Sequence, residues 1–130
     1  MDKPIAIAIT WSKQMLKEAT EGEIFNGVRA FYKRFEDMNN HDGCFLQKCR
    51  NKPKHEVLYC YIVANNKVLY RCNVSHWQAG GDPIEVIGPD DKLKIITWPH
   101  LVLTAPVVPA PFNIPFKGFQ GFRYIENELW

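Results

Sequence analysis

The chain has no run near the ~18 consecutive apolar residues that a membrane-crossing helix needs, and its opening stretch PIAIAIT lacks the basic flank and small-residue cleavage site of a secretory signal. A cytoplasmic protein with no membrane partner is expected. No P-loop, G-x-S-x-G elbow, dinucleotide fingerprint or H-E-x-x-H motif occurs. The common routes to phosphoryl, acyl or hydride transfer therefore have no motif behind them, and no catalytic residue is assigned. Internal repeats are absent, and a net charge of +2 is too small a bias to name a partner. There is no C-x-x-C pair either. His41, Cys44, Cys49 and His55 form the one metal-like cluster, but four residues separate its cysteines and no second pair follows. No metal or other cofactor is expected.

What is present is ample apolar material: 46% of 130 residues, enough for one domain over residues 1–130 with its own core. The densest run of β-formers is VLYCYIVANNKVLYRCNV, Val57 to Val74, which reads as a β-hairpin turning at Asn65-Asn66. With Ala64 facing Lys67, an unbroken ladder puts Tyr59, Tyr61, Val63, Val68, Tyr70 and Cys72 on one face, and Cys60, Ile62, Leu69 and Arg71 on the other. The first face belongs inside, Tyr61 pairs with Tyr70, and Cys60 and Cys72 point apart and cannot bond.

Around the hairpin the chain reads in order. PIAIAIT is a first strand, and Ser12 is the N-cap of a short helix that carries Met15, Leu16 and Ala19 inward. From Ile24 to Met38 the apolar residues keep one-face helical spacing. Asn39 to Lys54 is polar and reads as a long loop. Short strands follow at Ile84 to Ile87, Leu93 to Trp98 and Leu101 to Val108, then a proline-rich crossing loop and a last strand at Gly121 to Ile125. The expected class is α+β: a small mixed or antiparallel β-barrel of about five to seven strands with two or three helices.

Two local signals bear on function. Lys48, Arg50, Lys52 and Lys54 alternate through KCRNKPKH just ahead of the hairpin, and Lys33 with Arg34 lies on the preceding helix. A solvated loop is the plain alternative to a phosphate-binding one. Four tryptophans are present, three of them at expected strand ends: Trp11, Trp77 and Trp98. Rings gathered at strand ends line pocket mouths and stack on flat ligands such as bases. Trp130 reads as a packing anchor.

Several stretches in this order resemble the PUA-like superfamily and, within it, the EVE domain, whose relatives include YTH and ASCH domains. GVRAFYKRFEDM (Gly27 to Met38) resembles the EVE stretch in which Gly-Val-Arg opens a helix. EVLYCYIVANNKVLYRCNV is similar to the strand pair that follows it, PIAIAITWS to the opening strand and its polar exit, KIITWPHLV to a later barrel strand, and GFRYIENELW to the closing one. Where EVE domains usually pass from helix to strand through a short Gly-Asp turn, this chain carries the basic stretch Asn39 to Lys54. The resemblance implies a PUA-like barrel that binds DNA or RNA and reads modified bases. An extruded base would enter a pocket of Thr10, Trp11, Ser12, Asn26, Gly27, Val28 and Trp77, with Trp98 as a further wall. Lys33, Arg34, Lys48, Arg50, Lys52 and Lys54 would hold phosphates. ASCH relatives suggest a small amidohydrolase as the alternative, with Thr10, Lys13 and Glu23 near one mouth. A protein-interaction domain using VVPAPFNIP is the third reading.

Overall fold

In the computed structural model, the described residues are 4–13, 16, 39–40, 44–87 and 93–130. They form eight strands: β1 (Ala6–Thr10), β2 (Cys44–Lys48), β3 (Tyr59–Ala64), β4 (Lys67–Gln78), β5 (Ile84–Ile87), β6 (Leu93–Ile96), β7 (His100–Pro109) and β8 (Phe122–Ile125). Six make one sheet in the order β2-β7-β4-β3-β1-β8, and β5 pairs with β6 as a separate ribbon. Only the β1–β3 pairing is parallel; the rest are antiparallel.

The turn of the hairpin is the expected one. Asn65 and Asn66 adopt φ of 54° and 59°, the left-handed pair that a type I′ turn requires and asparagine tolerates. Ala64 faces Lys67 and Val63 faces Val68. Then the ladder breaks: Ile62 faces Tyr70, which leaves Leu69 as an extra residue in β4. A bulge exchanges the two faces of every residue beyond it. Tyr61 therefore faces Arg71, the expected Tyr61–Tyr70 pair does not form, and Cys60 lies directly opposite Cys72. Both are free thiols, as expected, though not for the expected reason. Cys72 donates its S–H to the Cys60 carbonyl at 3.6 Å.

A second correction concerns Asn39 to Lys54. Cys44–Lys48 is a strand, β2, paired with β7 from Cys44 opposite Thr104 to Lys48 opposite His100. Its first three residues, Cys44-Phe45-Leu46, are apolar, but the run is short and set in polar sequence; β7 offers it an open ladder and Leu46 finds a buried place against Ile96, Trp98 and Val102. Tertiary pairing decides what so short a run leaves open. The expected two or three helices are not seen among the described residues. Helical geometry appears there only at Lys13, Leu16, Asn39 and Asn40. The Leu16 amide bonds the Ser12 carbonyl at 3.1 Å, a first helical turn at the place where Ser12 is expected to start one. Met15, Ala19 and the Ile24 to Met38 helix lie outside the described residues. No helix among those described is long and apolar enough to cross a membrane.

The sheet is curled. Three strands separate β2 from β1, so a flat sheet would hold them about 19 Å apart at about 4.8 Å per strand. Yet the indole N–H of Trp11, just past β1, donates to the side-chain carbonyl of Gln47 in β2 at 2.8 Å. Breaks of register in β4 opposite β7, between Arg71 and Asn73 and between Val74 and His76, supply the bend. The architecture is a half-barrel with a seam at Trp11–Gln47.

β1 and β3 are buried on both faces. The large residues Ile7 and Ile9 join Trp11, Cys60, Ile62, Leu101 and Leu103 in the concave core. The small residues Ala6 and Ala8 turn the other way, with Tyr61, Val63 and Val68, beneath a cover of Ile114, Phe116, Phe119, Leu129 and Trp130. The proline-rich stretch is the expected crossing loop only beyond Pro109: Pro106 and Pro109 lie within β7, between β2 and β4, and the loop proper carries Pro111 and Pro115. It is stitched to the hairpin by Val68 N–H to the Ile114 carbonyl (2.9 Å) and Phe116 N–H to the Asn66 carbonyl (3.0 Å). Tyr61 is 0% exposed. Its hydroxyl accepts the Leu129 N–H at 3.0 Å, and Trp130 meets its ring edge-on at 5.1 Å. Tyr59 is only half-buried, under the Arg71 guanidinium, which sits 4.6 Å from the ring centroid and also donates to the Trp130 carbonyl.

Candidate functional site

Residues 49–58 leave β2 at one edge of the half-barrel and reach β8 at the other before entering β3, so they form a strap across its mouth. Its start is held by Cys49 N–H to the Pro99 carbonyl at 3.0 Å, and the Cys49 carbonyl accepts the Trp77 indole N–H at 3.0 Å. Midway, Lys54 N–H donates to the Tyr124 hydroxyl of β8 at 2.7 Å, and the His55 ring meets Tyr124 edge-on at 5.1 Å. At its end Val57 is buried and Leu58 N–H bonds the Ile5 carbonyl at 2.8 Å. With the backbone fixed below, Lys48, Arg50, Lys52 and Lys54 all stand exposed. Among the described residues, none of the four has a carboxylate partner.

The strap borders two clefts. A cleft of about 690 Å³ lies between its first half, Lys48 to Asn51, and a wall of Ile9, Thr10, Gln120, Gly121 and Phe122. A cleft of about 290 Å³ lies between its second half, Lys52 to Val57, and a wall of Val74, Ser75, His76, Trp77 and Leu101. The second has an apolar floor and an indole edge. Both have polar rims: Asn51 and Gln120 are exposed at the first, and His55, Glu56, Ser75 and His76 at the second.

The expected base pocket is brought together only in part. Thr10 lines the larger cleft beside Lys48 and Arg50, with its hydroxyl accepting the Phe119 N–H at 3.2 Å. Trp77 lines the smaller cleft beside Lys52 and Lys54. Trp11 is 5% exposed and belongs to the concave core, so its ring does not form an open wall. Curling of the sheet brings β2 over it. Trp98 packs with Leu46 and Ile96 and meets His100 edge-on at 5.8 Å, away from both clefts. Ser12 is exposed and its carbonyl caps the first helical turn. Asn26, Gly27, Val28, Lys33 and Arg34 lie outside the described residues, as do Glu23 of the amidohydrolase alternative and His41 of the metal-like cluster.

Asn51, His76, Phe122 and Tyr124 enter the site without having been singled out from sequence, and His55 reads there only as part of the metal-like cluster. No spacing or motif marks the four; Phe122 and Tyr124 come near because β8 pairs with β1, and His76 because β4 runs beneath the strap's second half. Burial pushes the Cys49 thiol upward, and the same cause raises Cys44. Cys60 is held well above the thiol range by its hydrogen bond with Cys72 and by burial. These sulfurs are therefore neutral thiols at neutral pH, not nucleophiles. The structure brings together exposed cations, amides and rings around two clefts. Comparison with family models, with curated proteins and with solved structures finds no match.

Proposed function

We propose that the chain is a nucleic-acid-binding module of PUA-like, EVE-like type that reads bases, modified ones among them, at the mouth of the half-barrel. One observation carries the reading: four exposed cations ride on a backbone-anchored strap between two base-accessible clefts. Phosphates meet the cations, and a base enters beside Trp77 rather than Trp11, where stacking contributes about 1 to 3 kcal/mol. In the larger cleft, Asn51 and Gln120 offer both donors and acceptors to a base edge. Anchoring the strap to Pro99, Trp77 and Tyr124 means that little backbone entropy is lost on binding.

The test is replacement of Lys48, Arg50, Lys52 and Lys54 by serine, followed by anisotropy titration of labelled oligonucleotides, plain and modified, across a salt series. Affinity should fall for every sequence, and the salt slope should flatten by about 0.7 for each single-strand phosphate that is no longer neutralised. Binding and slope equal to the parent's would remove the strap from the function.

A further inference from the structure

We propose, resting on that reading, that the two clefts hold two consecutive bases of one single strand, with the linking phosphodiester lying over the strap. The recognised unit is then a dinucleotide step, not one base extruded from a duplex.

Three observations converge on this. The clefts are separated by no more than the strap's own thickness: Cys49 lines the larger one, and its carbonyl receives the indole N–H of Trp77 from the smaller one at 3.0 Å. The cations divide between them, Lys48 and Arg50 bordering the larger cleft, Lys52 and Lys54 the smaller. A sugar-phosphate backbone passing from one cleft to the other therefore meets cations at both, with the carboxylate of Glu56 beside Lys52 and Lys54 in the smaller cleft's lining. Each cleft also has its own means of holding a base. The smaller has Trp77 above Val57, Val74 and Leu101; the larger has Phe122, with Asn51 and Gln120 at its rim. Gln47 is not free to help, because its carbonyl takes the Trp11 N–H and its amide nitrogen bonds the Lys48 carbonyl at 3.2 Å.

Geometry also sets the strand state. Bases on opposite flanks of a ridge are unstacked from each other. A single strand permits that readily, whereas a duplex would have to break two neighbouring pairs and their stacking.

The experiment is competition titration with a nucleoside 5′-monophosphate, a 5′-phosphorylated dinucleotide, a longer single strand and the same sequence as a duplex. The dinucleotide should bind about tenfold or more tighter than the mononucleotide, the size of one added stacking interaction. The single strand should outcompete the duplex. Trp77→Ala should bring the dinucleotide close to the mononucleotide's affinity. Asn51→Ala with Gln120→Ala, both at exposed positions, should lower dinucleotide affinity by a larger factor than the mononucleotide's, and this arm does not depend on Trp77→Ala folding. Equal affinity for mononucleotide and dinucleotide, or a duplex that binds as tightly as the single strand, overturns the two-base proposal while the nucleic-acid reading stands. Failure of every probe to bind overturns that reading and this one with it.

Discussion

The sheet is covered twice, and the two covers are made of different material. On one face the chain's last stretch lays down Ile114, Phe116, Phe119, Leu129 and Trp130, rings and branched chains that fill the relief left by Ala6 and Ala8. On the other, the strap buries only Cys49 and Val57 among its described side chains, is held chiefly through its backbone N–H and C=O groups, and keeps Lys, Arg, Asn and His side chains outside. The first cover stabilises by removing apolar surface from water. The second contributes less in that way, through Cys49 and Val57, since exposed cations with no carboxylate partner among the described residues add almost nothing to stability. The proposed binding of phosphates would account for a feature that costs ordering entropy and returns so little stability.

Substitutions sharpen this contrast, beginning with the core. Tyr61→Ala should cost about 3 to 5 kcal/mol, because it opens a cavity under Trp130 and strands the Leu129 N–H. Trp11→Ala should cost a similar amount from the concave side, about 3 to 5 kcal/mol. Chemical denaturation measures both. If Trp11→Ala left stability within about 0.5 kcal/mol of the parent, the ring would be an open wall after all.

The thiols beneath the strap give a pH signature. Cys60 keeps its proton in the folded protein through its bond with Cys72 and its burial, while the unfolded chain releases it near pH 8.5, at about the ordinary thiol value. Stability from this source is therefore whole at neutral pH and declines as pH rises past the unfolded value. Cys60→Ala should flatten the alkaline limb of the stability profile. An unchanged limb would mean that the thiol titrates alike in both states.

Loosening the strap should show less. Tyr124→Phe removes the acceptor for Lys54 N–H and should cost about 1 kcal/mol, with a loss of oligonucleotide affinity larger than the loss of stability implies. The smallest stability effect belongs to the fourfold serine replacement, within about 0.5 kcal/mol of the parent. A fourfold variant that unfolds would collapse the distinction between the two covers.

How much of this was legible from sequence follows from the range of each interaction. Asn65-Asn66 announced its turn because type I′ geometry is a local preference. The Leu69 bulge was not legible, because it answers to β7 on the far side of β4, and so the faces of Tyr70, Arg71 and Cys72 came out reversed. β2 was hidden because Gln47, Lys48 and their neighbours look like loop until β7 supplies a ladder. The alternating cations could be read directly, since exposure needs no partner. Trp11 could not: its burial depends on Gln47, which only the curl of the whole sheet brings near.

The placement of β1 has a temporal consequence. Ala6 pairs with Tyr59 on one side and with Ile125 on the other, so β1 leaves the ribosome before either of its partners, β3 and β8, has been made. The hairpin closes locally and quickly; docking of β1 onto it in parallel is non-local and slow. Until β8 arrives, Ile7 and Ile9 belong to a strand with one open edge, the kind of surface that draws neighbouring chains into aggregates during synthesis. The open edge of β1 is thus closed by a strand made more than a hundred residues later.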